Sequence, residues 1–294
     1  MRPFAPLLLV LSALLAAACG GGSPTAPTSA TPSGNGATFS EAAFREAARV
    51  TALAQSDVQL TVRPGLFERD IKAVVDEGFR RHGVAVPAFS HIVASGPNAL
   101  VLHYAGDDRQ LEDGDLLVVD IGAAVDEHCA DVTRTIAVSG RFTARQREVY
   151  DLVLDALLGV EQRARAGADS LAGLHAWVKE LFRQSPLRAA DASGNLQTMD
   201  QFFIHSVGHF VGRTVHGQDT GWSIQEPLRA GQVLAIEPGL YLPAEGIGIR
   251  IEDTLLVTSD GLECLSCQSA KRFDGAPLFV RPASAAARQL PPQM

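Results

Sequence analysis

Two aspartates set the first chemical question. Asp120 ends an apolar run, Leu116-Leu117-Val118-Val119, and Asp131 stands eleven positions later, just before Val132-Thr133-Arg134-Thr135-Ile136-Ala137-Val138. β-Branched residues fill both arms and Gly122 opens the turn region between them, so the pattern predicts two adjacent antiparallel strands. Such a pair can bring the two carboxylates side by side. Carboxylates held that close repel unless a proton or a cation lies between them. Further ligand types stand downstream in His209, Glu237 and Glu252, each in a glycine-punctuated or strand-like setting.

His205 and His209 lie four apart in Ile204-His205-Ser206-Val207-Gly208-His209-Phe210-Val211-Gly212. A zinc-protease helix would show Glu directly after the first histidine. Ser206 stands there, and Gly208 and Gly212 argue against a helix, so a strand or loop places the two rings independently. Alone, the pair suits hydrogen-bonded core histidines as readily as ligands, since a ligating ring must be neutral. Glu237 sits in Leu234-Ala235-Ile236-Glu237-Pro238-Gly239, a strand running into a turn. Arg250 and Glu252 alternate with Ile249 and Ile251, which puts both on one strand face. An isolated pair of this kind is usually a solvated face or a weak salt bridge. The joint occurrence of Asp, Asp, His, Glu and Glu in similar strand-end settings favours one shared site.

These residues need a scaffold. Ser40 suits an N-cap for a helix to about residue 54, and a second helix follows Arg63-Pro64-Gly65 to residue 83. Residues 89–94 form a predicted strand, Ser95-Gly96-Pro97-Asn98 a turn, and a short apolar run leads to His103. Asp113-Gly114 turns the chain into the Asp120 strand. Thr143 and Gln146 fit a capping box for a long helix to about residue 165, and Asp169 or Ser170 caps another to about residue 184. Residues 185–198 look like loop, and short strands follow at 233–237, 247–251 and 254–258. The pattern predicts one α+β catalytic domain over residues 39–275, with a loose tail at 276–294.

The 294 residues are 46% hydrophobic and 20% charged, which suits a globular protein with a sizeable core. A net charge of −8 and the lack of a Lys/Arg cluster with interleaved aromatics exclude nucleic acid as a partner. Four cysteines do not make a disulfide framework for a chain of this size. Cys264 and Cys267 are spaced for redox or metal work, but the simpler readings are one buried and one exposed thiol, or a local disulfide in an oxidising envelope. Cys129 is expected to form a small apolar wall of the site. His82, His91, His128 and His175 lack motif context and are expected to be surface or structural.

Residues 1–18 form a predicted export signal, with Arg2 ahead of an apolar stretch too short for a comfortable membrane span. Leu15-Ala16-Ala17-Ala18-Cys19-Gly20 resembles a bacterial lipoprotein signal with Cys19 lipidated after cleavage; the alternative is a secretory signal cut after Ala18. Residues 19–38 then form a flexible, uncharged Gly/Ser/Thr/Pro/Ala tether. The expected location is the cell envelope, anchored through Cys19 on the outer membrane or periplasmic face, and otherwise the periplasm or medium. That anchor is the only membrane contact expected.

The segments VVDIGA, ADVTRT, HSVGH, IEPGLY and RIEDT occur in the order found in the pita-bread metallopeptidases, a family of Xaa-Pro aminopeptidases, prolidases and methionine aminopeptidases. The chain resembles that family over residues 39–266. The resemblance implies a pita-bread (creatinase/aminopeptidase-like) fold, a curved antiparallel sheet covered by helices. It implies five metal ligands, Asp120, Asp131, His209, Glu237 and Glu252. Asp120 would chelate one cation, Asp131 and Glu252 would bridge two, and His209 and Glu237 would complete the other site. Four carboxylates and one imidazole suit two divalent cations, manganese first, with cobalt, iron or zinc also fitting the donor set. A water between them would lose a proton near neutral pH and attack, with Glu237 carrying that proton to the leaving amine.

By the same resemblance, His103 would contact the scissile amide region and His216 would steady the tetrahedral intermediate. His205 matches the first histidine of the proline-specific branch, a position that typically lacks histidine in methionine aminopeptidases. Tyr241 and Arg250 also match that branch as substrate-binding candidates, although Arg250 is equally suited to bridge a ligand carboxylate. The implied activity is hydrolysis of the N-terminal peptide bond of peptides, before proline. The alternatives are a prolidase-like dipeptidase, a methionine aminopeptidase, a metal-free creatinase-like hydrolase, and a catalytically silent envelope binding protein of the same fold. Two departures stand out. The segment Arg213-Thr214-Val215-His216-Gly217 lacks the aspartates that flank this histidine in proline-specific enzymes. Only the signal and tether precede residue 39, so the extra N-terminal domain of many relatives is not expected, and a homodimer is left open.

Overall fold

The computed structural model describes residues 39–84 and 86–271; the predicted signal, tether and C-terminal tail lie outside the described residues. Helix α1, Glu41–Thr61, starts at the Ser40 cap, whose Oγ accepts from Ala43 N at 3.3 Å. It runs past the predicted end near residue 54 because Gln55 is buried rather than terminal. The Gln55 amide donates to Val119 O at 2.9 Å and Val132 O at 2.8 Å, so a polar residue occupies the core face with its donors satisfied. Helix α2, Glu68–Arg81, begins three residues past Gly65, where the Asp70 carboxylate accepts from Phe67 N at 2.8 Å.

These helices cover the first sheet. Strand β1, Ile92–Ser95, β2, Leu116–Ile121, and β5, Val132–Ala137, pair antiparallel in the order β1-β2-β5. Between β2 and β5 a small hairpin, β3, Ala124–Val125, and β4, His128–Cys129, occupies the predicted turn region. Its tip residues Asp126 and Glu127 have φ of 46° and 63°, the conformation a tight hairpin turn demands. Val50, Ala54 and Val58 of α1 and Ile71 and Val75 of α2 pack on Val119 and Ile121. Burial of this stripe on one face of each helix is the main stabilising term for the layer.

Helix α3, Ala144–Arg163, opens with the predicted capping box: Gln146 N donates to Thr143 Oγ1 at 3.2 Å and Thr143 N to Gln146 Oε1 at 2.9 Å. Ser170 caps α4, Leu171–Gln184. The stretch predicted as loop instead folds into a hairpin of β6, Arg188–Ala190, and β7, Leu196–Thr198. Its turn is made by Asp191, whose Oδ1 accepts from Ser193 N and Asn195 N at 2.9 and 3.0 Å, and by Gly194 with φ of 82°.

The second sheet contains β8, Gly208–Phe210, β9, Val233–Ile236, β12, Asp253–Val257, and β13, Leu262–Cys264, ordered β13-β12-β9-β8. Strands β10, Gly239–Leu242, and β11, Ile247–Arg250, form a separate antiparallel pair. Helices α3 and α4 supply Val153, Leu157, Leu174 and Val178 to a core with Leu234, Ile236, Leu240 and Ile249. The two halves are stitched at one seam. Glu252 N donates to Thr133 O at 3.0 Å, Arg250 N to Thr135 Oγ1 at 3.0 Å, and Thr135 Oγ1 to Arg250 O at 2.8 Å. Cys264 and Cys267 form a disulfide. No helix among the described residues is long and apolar enough to cross a membrane.

Candidate metal centre

The five candidate ligands converge on the seam between the two halves. Asp120 lies in β2, opposite Thr133, and Asp131 lies just ahead of β5, so the two aspartates are neighbours without being register partners. Asp131 is fastened to the other half, its N donating to Thr254 Oγ1 at 2.9 Å while that hydroxyl donates to Asp131 O at 2.8 Å. His209 is in β8, Glu237 follows β9, and Glu252 occupies the link between β11 and β12. The β8 backbone must pass close to β9: a Cβ at Gly208 would stand 2.1 Å from Ala235 O. Thr133 Oγ1 donates to Glu252 Oε2 at 2.7 Å and orients that carboxylate.

The donor set fits divalent cations. Asp131, His209 and Glu252 offer ligand atoms all within 4.8 Å of one another. His209 Nε2 lies 3.5 Å from Asp131 Oδ2 and 3.6 Å from Glu237 Oε1. Asp120 Oδ1 and Asp131 Oδ1 are buried without a hydrogen-bond partner. Burial raises the pKa of Asp131 well above the usual carboxylate range, and the charges of Glu252, Asp120 and Glu237 push it further. Burial, Glu237 and Asp120 raise Glu252 likewise, against the Thr133 hydrogen bond and the Arg250 charge. Glu237 is pushed up to about 8, chiefly by burial, with Arg250 opposing and Asp120 adding. Carboxylates that must take up protons when alone are those a bound cation returns to the ionised state.

His209 is prepared as a neutral ligand. Its Nδ1 is 2.9 Å from Phe210 O, which places the ring proton there and leaves the Nε2 lone pair facing Asp131 and Glu237. Burial lowers its pKa to about 4. Arg250 is buried, its Nη2 donating to Asp120 Oδ2 at 2.7 Å and its Nη1 to Tyr241 OH at 2.8 Å. Tyr241 OH lies 3.1 Å from His205 Nε2, and His205 Nδ1 is 2.8 Å from Ser206 O. His205, Tyr241, Arg250 and Asp120 therefore form one continuous polar chain ending on a ligand. Burial, and then the Arg250 charge, holds the His205 pKa near 4.

His103 and His216 sit on exposed loops at the rim of the same cleft. The rings of His209 and His216 are 4.6 Å apart. Sequence reasoning missed what holds these two loops. Buried Glu68 accepts from Ser95 N and Oγ at 2.8 Å each, from Asn98 Nδ2 at 3.0 Å and from Tyr104 OH at 3.0 Å, which ties down the chain on both sides of His103. Asp219 accepts from Arg213 N at 2.9 Å, Thr214 N at 3.1 Å and Thr214 Oγ1 at 2.8 Å and so organises the His216 loop. Neither acid had a sequence signal beyond its type. Arg134 was missed too: its Nη1 donates to Glu252 O at 2.6 Å and its Nη2 to Asp253 Oδ1 at 2.8 Å. Cys129 packs behind the His216 loop, its Sγ donating to Arg213 O at 3.1 Å, rather than lining either cavity beside the ligands. Buried His128 accepts from Ser40 N at 2.8 Å and has a structural place.

A buried carboxylate–imidazole cluster at the meeting of two antiparallel halves is a donor set for divalent metal. The chain belongs to metallopeptidase family M24, whose sequence profile matches residues 42–259, and it has the pita-bread fold of that family. It is 34% identical over 250 residues to the Xaa-Pro aminopeptidase of Escherichia coli K12, covering 79% of this chain and 56% of that protein. It is 34% identical over 206 residues to an Xaa-Pro dipeptidase of Pyrococcus furiosus, covering 70% of this chain and 55% of that protein. A solved proline aminopeptidase P II from Yersinia pestis superposes with a TM-score of 0.73 at 34% identity, over 80% of this chain and 58% of that one. The chain thus spans little more than half the length of these relatives.

Proposed function

We propose that this chain is a dinuclear-metal aminopeptidase that releases the residue preceding proline from the N-terminus of peptides. The observation that carries the reading is the chain from His205 through Tyr241 and Arg250 to Asp120, which couples a histidine of the proline-specific branch to a ligand carboxylate. Relatives at similar identity include both aminopeptidases and dipeptidases of Xaa-Pro type. An open cavity of about 530 Å³ beside His205, reaching Ile204 and Ile224, leaves room for residues beyond the second and favours the aminopeptidase.

Asp120, Asp131, His209, Glu237 and Glu252 would hold the cations, which would supply Lewis acidity to the scissile carbonyl and the attacking water. Glu237 takes the proton from that water and delivers it to the leaving nitrogen. The nitrogen before it is protonated carries no hydrogen when the second residue is proline, so the site needs no acceptor for it. His103 and His216, at the rim, donate to carbonyl oxygens of the bound peptide. His205, held by Tyr241 and Ser206, contacts the peptide on the leaving side. Manganese is the proposed native pair, with cobalt, iron or zinc as alternatives. Envelope anchoring through Cys19 belongs to the same proposal and is supported by the signal-like segment alone.

The test is release of the first residue from an Xaa-Pro-Xaa tripeptide, with and without Mn²⁺, beside an Xaa-Pro dipeptide, a Met-Ala peptide and a Glu237→Ala control. Mn²⁺-dependent cleavage of the tripeptide, lost in the control, is expected. Cleavage of the Met-Ala peptide alone would overturn the proline reading, and cleavage of the dipeptide alone would make the protein a prolidase.

A further inference from the structure

A second cavity, of about 490 Å³, adjoins the metal cleft. His103, Asp120, Asp131 and His216 line both spaces, so they form the boundary between them. Away from that boundary the cavity is walled by Phe89, Ile92, Tyr104 and Val215 with the polar Ser90 and His91 among them, and the flexible Lys72 reaches into it. Lys72 projects from α2, is half-buried, and donates from Nζ to Gly106 O at 3.0 Å. Among the described residues it has no carboxylate within ion-pair distance. The nearby Asp76 carboxylate is 3.1 Å from His91 Nε2, and Asp76 makes no ion pair with Lys72. The ammonium therefore faces a cavity whose lining acids, Asp120 and Asp131, stand at the boundary with the metal cleft and make no ion pair with it.

We propose that this cavity receives the side chain of the peptide's N-terminal residue and that Lys72 selects an acidic one, glutamate foremost. The inference rests on the aminopeptidase reading above. The first residue of a peptide cleaved at the metal centre, with its α-amine, must lie beside Asp120 and Asp131, which border both spaces. The first side chain hangs from the same carbon as that amine, so it enters the space those carboxylates border, while the rest of the peptide leaves past His205. The apolar walls accept the methylenes of glutamate and Lys72 meets the carboxylate, with two of its three donor positions free of Gly106 O. Lys72 is a specificity-determining residue and takes no part in the bond cleavage.

The experiment measures kcat/KM for Glu-Pro-Ala, Gln-Pro-Ala, Ala-Pro-Ala and Lys-Pro-Ala with the Mn²⁺-loaded full chain and its Lys72→Met and Lys72→Glu variants. Glutamate and glutamine differ in charge but hardly in shape, so their ratio isolates the ammonium and cancels any general loss in a variant. A half-buried ion pair predicts a Glu/Gln ratio of about five- to tenfold in the native protein. The ratio should fall to about one in Lys72→Met, and Lys72→Glu should prefer Lys-Pro-Ala over Glu-Pro-Ala. Cleavage of Ala-Pro-Ala with a native Glu/Gln ratio near one, unmoved by Lys72→Glu, would overturn the subsite and leave the aminopeptidase standing. Cleavage of none of the four peptides would overturn the aminopeptidase, and the subsite with it.

Discussion

Removing the metal should make this protein lose stability as the pH rises from 6.5 to 8. In the metal-free fold Glu237 is pushed from the ordinary 4.5 to about 8 by burial, so the folded state keeps a proton that the unfolded chain has released. Stability from a raised pKa is fully present below the unfolded value and is lost as pH rises through the folded one. The lowered histidines work the other way: His205 and His209 fall to about 4 and His91 and His175 are lowered too by burial, so their contribution approaches completion above the unfolded value of 6.5 and is lost as pH falls below it. The window between pH 6.5 and 8 therefore reports the carboxylates. Over that 1.5-unit span Glu237 alone costs about 2 kcal/mol, at ~1.36 kcal/mol per unit. Asp131 and Glu252, both raised, add with the same sign. For a domain of this size 2 kcal/mol is a fall in Tm of roughly 4–8 °C. The assay is thermal unfolding by circular dichroism in chelator at the two pH values, repeated with excess Mn²⁺. The loaded protein should hold or gain Tm, because the cation replaces the protons, and Glu237→Gln should remove its share of the slope. A chelated protein whose Tm is equal or higher at pH 8 would refute the reasoning.

Three substitutions probe the supports of the centre. Arg134→Met removes the buried guanidinium that bonds Asp253 and Glu252 O, and leaving Asp253 buried with one fewer partner should cost about 3–5 kcal/mol in urea unfolding. Gly208→Ala forces a methyl onto Ala235 O, so β8 must shift, and calorimetric titration should show Mn²⁺ binding weakened at least tenfold, roughly 1.4 kcal/mol. Tyr241→Phe cuts the link between His205 and Arg250 while keeping the ring, and kcat/KM on Xaa-Pro-Ala should fall by about tenfold with the fold intact.

Much of the scaffold was legible because its rules are local. The Thr143 capping box, the Ser40 and Ser170 caps and the β-branched run after Asp131 follow from a few adjacent residues, and each forms as expected. Errors arose where a local cue was outvoted or unnoticed. The local pattern ends the first helix near residue 54, but carbonyls of two strands far along the chain satisfy the Gln55 amide inside the core and the helix runs on. The Asp191–Gly194 turn carried the signal for the β6–β7 hairpin, and the mixed polarity around it hid that signal.

The order and chemical types of the candidate ligands were set by the sequence alone, since Asp120, Asp131, His209, Glu237 and Glu252 can be named without coordinates. Only the tertiary structure decided how they meet. It places Asp120 opposite Thr133 rather than Asp131, and it buries Arg250 against Asp120 and Tyr241. It also enlists Glu68, Thr254 and Arg134 to hold loops and ligands that lie elsewhere in the chain. Periodicity tells which face of its own strand a residue occupies. Which charge it finally opposes depends on a partner more than a hundred positions away, as Thr133 and Glu252 are, and on the low-dielectric interior that makes such a pairing matter.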